Sequence, residues 1–188
     1  MKIQAAQPRR MQGFTMIELI VVIVILGILA AVALPRFTNI QRDARIAKLN
    51  AARGAVLSAS SMVRGSALAR AGLADAAACA ANVGPLPVIA NNTTNLCTES
   101  GRVSIVNGYP AGTLAGIVDA AGLSLVFPAT GGAAGTLAQE GYDATAAAGG
   151  VVTVQVRGGT NAPTCSFTYT AAAPGAAPVI SPINRAGC

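Results

Sequence analysis

The sequence predicts an α+β protein: a long N-terminal helix, apolar in its first half and amphipathic in its second, packed on a small antiparallel β-sheet. Three observations predict it. Residues 14–34, "FTMIELIVVIVILGILAAVAL", are almost entirely apolar, with Glu18 as the one charge. The stretch from Arg36 to Gly72 then places Ile46, Leu49, Val56, Leu57, Ser60 and Val63 near helical spacing. Further on, "VVTVQVR" and "CSFTYTA" alternate apolar and polar residues around the turn-rich "GGTNAPT", the pattern of a hairpin.

Composition narrows the function classes. The chain has 188 residues, a length that favours one domain, and is 53% hydrophobic but 4% aromatic. Its core must therefore be built from small aliphatic side chains. It contains no His, which excludes His-based triads, His-ligated zinc and His general bases. With no nucleophile motif, no enzyme activity, cofactor or metal site is expected. The formal charge of +6 is uneven. Lys2, Arg9 and Arg10 precede the apolar run; residues 14–72 carry seven basic side chains against Glu18 and Asp43; residues 73–188 carry three basic against five acidic ones. The basic character belongs to the N-terminal third, so a nucleic-acid-binding face is not indicated elsewhere.

Taken in order, residues 1–13 form a short basic leader. Residues 14–34, as a helix at ~1.5 Å per residue, span roughly 31 Å, which matches a ~30 Å hydrocarbon core. A buried core helix is disfavoured, because nothing else in the chain is hydrophobic enough to surround one. An ordinary secretory signal would use Ala31-Val32-Ala33 for cleavage, but the run from Leu19 to Leu34 is longer than the usual ~7–15 residue apolar region. The third reading keeps the segment as a membrane-spanning helix.

The flanking residues bear on that choice. Gly13-Phe14-Thr15-Met16-Ile17-Glu18, followed by an apolar run and Pro35, resembles the N-terminus of type IV pilins and type II secretion pseudopilins. The resemblance implies that a prepilin peptidase cuts between Gly13 and Phe14 and methylates the new Phe14 amine. It also implies that residues 14–34 are retained, first as an inner-membrane anchor with the head in the periplasm, then as the core of an extracellular filament. Glu18 would be the assembly residue, meeting the Phe14 amine of a neighbouring copy. The implied partners are further copies of the chain, the prepilin peptidase, the membrane before assembly and the inner-membrane pilus assembly machinery. Basic residues after the span (Arg36, Arg42, Arg45, Lys48, Arg53) outnumber those before it, so the positive-inside count points the other way; the resemblance and the cysteines outweigh it.

Beyond the span, residues 35–72 read as the amphipathic half of the helix, stopped by Gly72. Pro35 cannot donate to the Ala31 carbonyl, and Gly27 is a poor helix former, so local weakening is expected there. In filaments of the resembled family the helix unwinds between such positions. Residues 73–101 read as loop, and residues 102–188 as the sheet region. Within the latter, "RVSIVNGYP" suggests a short strand, "TLAGIVDAAGL" a short helix, and the Pro-containing tail "PGAAPVISPINRAGC" at most an edge strand.

Cys79, Cys97, Cys165 and Cys188 are even in number and lack the paired spacing of zinc sites. In an exported segment they read as disulfides. Of the three pairings that can be drawn, Cys79–Cys97 and Cys165–Cys188 close the shortest loops; the second is worth roughly 3 kcal/mol by chain entropy. The stretches "NGYPAGTLAGI", "CSFTYT" and the final "GC" look like the mannose-sensitive haemagglutinin type of pilin. The sequence thus leads to a structural filament subunit for adhesion, motility or DNA uptake, with a type II secretion pseudopilin as the alternative. Smaller motifs read as surface loops: the sequons in Asn91-Asn92-Thr93-Thr94, the glycines of 131–135, and the acids Glu140 and Asp143.

Overall fold

A computed structural model describes residues 14–79, 89–98, 101–123, 134–159 and 165–188. The chain divides into two compact units, Met1–Gln41 and Arg42–Cys188. Helix α1, Met16–Arg70, passes through both.

In the first unit α1 is apolar on every side. Met16–Leu34 has a mean hydropathy of 3.1 and none of it is buried within the chain, which by length and composition suffices to cross a membrane. Assignment of α1 is unbroken across Gly27 and Pro35. A Cβ added at Gly27 would meet nothing within 4 Å, so no contact inside the chain requires glycine there.

In the second unit α1 buries one stripe: Leu49, Ala52, Val56, Ala59, Val63 and Ala67, at spacings of three and four. It ends where Ala71 and Gly72 take positive φ of 50° and 74°. The Ala71 amide then bonds back to the Ala67 carbonyl at 3.2 Å, a left-handed stop that glycine accommodates readily.

The expected single sheet is two. One is three-stranded and antiparallel, in the order β1 (Asn95–Thr98), β2 (Gly101–Val106), β3 (Tyr109–Pro110). The other joins β4 (Tyr142–Ala147), β5 (Val151–Val156), β6 (Ser166–Thr170) and β7 (Val179–Ile180), also antiparallel and in chain order. Strand β1 falls inside the 73–101 stretch expected to be loop. Its four residues are too few to show a period, and they become a strand by pairing with β2 from Asn95↔Ser104 to Thr98↔Gly101. The expected hairpin is β5–β6; its connection at 160–164 lies outside the described residues, as does most of the glycine-rich 131–135. Between the sheets, Leu114–Val118 forms a π-helical turn and Ala134–Gln139 a short helix α2.

The alternation that predicts β5 also orients it. Val152, Val154 and Val156 are buried, while Val151, Thr153 and Gln155 are half-exposed. The valines meet Leu49 and Val56 of α1, Ile117 and Val118 of the π turn, Leu137 of α2, and Phe167 and Tyr169 of β6 in one core. Each large aliphatic side chain buried in this way stabilises the fold by ~1.5–3 kcal/mol. A smaller cluster gathers Val63, Leu96, Val103 and Ile105 over the three-stranded sheet.

Four cations of this half-helix reach main-chain acceptors in the head. Arg45 donates to the Cys188 carbonyl at 2.6 Å, Arg53 to that of Ser181 at 2.9 Å, Arg64 to that of Asn107 at 3.1 Å, and Lys48 to that of Glu140. Arg70 instead bonds the side chains of Asp75 and Asn92 at 3.3 and 3.2 Å. A charged donor on a carbonyl is among the stronger hydrogen bonds.

Candidate assembly site at the start of the helix

Helix α1 begins with Thr15 as its cap: the Thr15 carbonyl accepts the Leu19 amide at 3.2 Å. The Glu18 amide donates to Thr15 Oγ1 at 3.3 Å. In return Glu18 Oε2 accepts the Thr15 amide at 3.0 Å and the Thr15 hydroxyl at 2.7 Å. This reciprocal pair is a capping box, and its signature Thr15-Met16-Ile17-Glu18 stands in the sequence, so Thr15 joins Glu18 as a residue of this site. The carboxylate thus lies over the positive end of the helix, held by two donors of its own chain.

Phe14, Ile17, Glu18, Val21 and Val22 recur at helical spacing and line one shallow groove of about 380 Å³. Phe14 is 80% and Ile17 70% exposed. The face therefore combines apolar side chains left exposed among the described residues and a single carboxylate at one end. Gly13 lies outside the described residues, so the Gly13–Phe14 bond is not part of this geometry.

The other site residues lie in the head. Cys79 is bridged to Cys97, with Cα atoms 5.3 Å apart, and Cys165 to Cys188, at 4.7 Å. Asp143 pairs with Arg157 at 2.9 Å. Asn92 is buried, its amide nitrogen donating to the Leu73 carbonyl and Asp75 at 2.6 and 2.8 Å, so that sequon is occupied structurally.

The "NGYPAGTLAGI" stretch proves to be a junction. Asn107 and Gly108 form the β2–β3 turn with positive φ of 53° and 77°. The Arg64 guanidinium stacks on the Tyr109 ring, 4.8 Å from its centroid, and Asn107 donates to the Ala172 carbonyl at 2.8 Å. The buried Tyr169 hydroxyl donates to the Pro110 carbonyl at 2.7 Å, and burial pushes its pKa up to about 12. A Cβ on Gly112 would lie 1.8 Å from the Gly150 carbonyl oxygen, which explains glycine at 112.

The prokaryotic N-terminal methylation motif matches residues 8–34. The chain is also similar to the type IV narrow pilus major component PilA5 of Thermus thermophilus, 52% identical over 50 residues, which cover 27% of this chain and 43% of that protein. The match thus spans less than half the length of the relative. No solved structure matches. Residues 14–34 of the matched motif form the start of the capped, exposed apolar helix, and this chain carries the prokaryotic N-terminal methylation motif.

Proposed function

We propose that the chain is a structural subunit of a type IV pilus filament, serving attachment, motility or DNA uptake. One observation carries this reading: Met16–Leu34 is an apolar helix that is not buried among the described residues, with one carboxylate at its start. The similarity to a relative that is a type IV narrow pilus major component supports the same class.

A prepilin peptidase removes residues 1–13 and methylates Phe14, while the helix holds the subunit in the inner membrane with its head in the periplasm. There the assembly machinery adds it to the filament. A lone carboxylate in hydrocarbon is penalised by a few kcal/mol or more; the capping box lowers that penalty before assembly. In the filament core, the cationic Phe14 amine of a neighbouring copy and Glu18 are tolerated as a pair, whereas either alone is not. This pairing sets the axial register of an incoming subunit. Gly27 and Pro35 weaken the assembled helix between them.

Intact-mass measurement tests the processing step: the mature chain begins at N-methylated Phe14, and a start at Leu34 would exclude the proposal. Glu18→Ala is expected to insert and be cleaved normally but to lower sheared-filament yield by about tenfold or more, the scale of ~1.4 kcal/mol in an assembly equilibrium. Abundant recovery of the wild-type chain in filaments sheared from intact cells separates a pilus subunit from a short periplasmic pseudopilin.

A further inference from the structure

The two disulfides occupy opposite surroundings. Cys165 is fully buried and Cys188 nearly so, both inside the main core beside Leu49, Val156 and Phe167. Cys79–Cys97 instead forms part of the wall of a groove of about 910 Å³ within the head, which Met62 and Ser66 of α1 and Ala76 also line. Cys79 is itself buried, but Cys97 is partly exposed. A thiolate must reach a disulfide sulfur along the S–S axis, so access decides which bridge opens first.

The backbone on either side of this bridge is held by other bonds. The Asp75 amide bonds the Ala90 carbonyl at 2.9 Å, and Ala78 bridges Ile89. Asn92 donates to Leu73 and Asp75, and Arg70 bonds both Asp75 and Asn92. Cys97 itself sits in register opposite Arg102 in the β1–β2 pair. Cys165–Cys188 is framed as well, the Cys165 amide bonding the Ala186 carbonyl at 2.8 Å and Asn184 bridging Ser166; what sets this bridge apart is that both its cysteines belong to the main core.

From these differences we infer that Cys79–Cys97 is a thiol-addressable bridge: a small dithiol entering the groove reduces it while Cys165–Cys188 stays closed, and the head keeps its fold. One thiolate attacks a bridge sulfur, the S–S bond breaks, and the displaced cysteine thiolate takes up a proton. The second thiol then displaces the mixed disulfide and frees the other cysteine. The bridge gains two electrons and two protons, and the dithiol is oxidised to its disulfide.

The test treats the full chain in detergent micelles with graded dithiothreitol, traps thiols by alkylation and maps them by peptide mass. Cys79 and Cys97 should label at a reductant concentration at least about tenfold below that needed for Cys165 and Cys188, with the circular dichroism unchanged at the first step. Ala76→Trp, at an exposed position on the groove, should slow the first reduction several-fold. The Cys79→Ser/Cys97→Ser double variant should retain the wild-type circular dichroism spectrum. Simultaneous opening, earlier opening of Cys165–Cys188, loss of fold on first reduction, an unfolded double variant, or an Ala76→Trp chain reduced at the wild-type rate would each overturn the inference.

Discussion

The two halves of α1 use similar side chains to opposite ends. In the second half, Leu49 and Val56 are fully buried against the four-stranded sheet's core, and cations of the same half hold the head's main chain. In the first half, Val21, Ile25 and Leu29 remain half-exposed or more, with one carboxylate folded back on its own cap. The hydrophobic effect acts on both halves alike. What differs is where the partner comes from: the second half finds it within the chain, and under the proposed function the first finds it in lipid or in other copies. One helix is thus a folding element at one end and an association element at the other.

That contrast can be broken at its strongest point. Leu49→Ala should destabilise the head by ~2–5 kcal/mol, because it opens a cavity in a packed core. The matching Leu26→Ala, at a position 58% exposed, should leave the head's unfolding midpoint unchanged. Chemical denaturation followed by the tyrosine signal distinguishes them, and an equal loss in both would erase the distinction between the halves.

A smaller effect sharpens it through pH. Tyr169, buried beneath α1 and bonded to Pro110, holds its proton up to about pH 12, whereas an unfolded tyrosine releases its own near 10. The unfolded state therefore loses its proton first. The stabilisation is fully present below pH 10 and falls as pH rises from 10 to 12, by on the order of 2 kcal/mol. Tyr169→Phe should remove this alkaline slope while lowering stability at neutral pH, since the Pro110 carbonyl loses its donor. A slope unchanged in the variant would assign it to another group.

The smallest effect tests the association end. Thr15→Ala removes the reciprocal cap and should cost α1 ~1 kcal/mol locally, seen as faster amide exchange in the first turn in micelles. The head's midpoint should not move.

Much of this was legible because periodicity survives in the sequence. The stripe of α1 and the alternation of β5 announce themselves, and the tail's prolines confine it to the two-residue edge strand β7. Strand β4 does not: half of "YDATAA" is alanine, and it becomes a strand by lying antiparallel to β5 across the turn at Ala148-Gly149-Gly150. The division into two sheets is equally silent, since it depends on which strands meet and not on what each contains. Thr15 is a different case. Its capping signature is legible in the sequence, but a lone carboxylate in an apolar run is the more conspicuous half of the pair.

The cation clamps explain why another part of the architecture could not be read, and they carry a consequence for how this surface can change over generations. Four of the five grip carbonyl oxygens, at Glu140, Ser181, Cys188 and Asn107, and every amino acid supplies one. Attachment of the loops to the stalk is thereby uncoupled from the identity of the side chains that face outward. At Glu140 the side chain can be rewritten while the same clamp bond is kept, leaving that position open to diversification on a fixed frame.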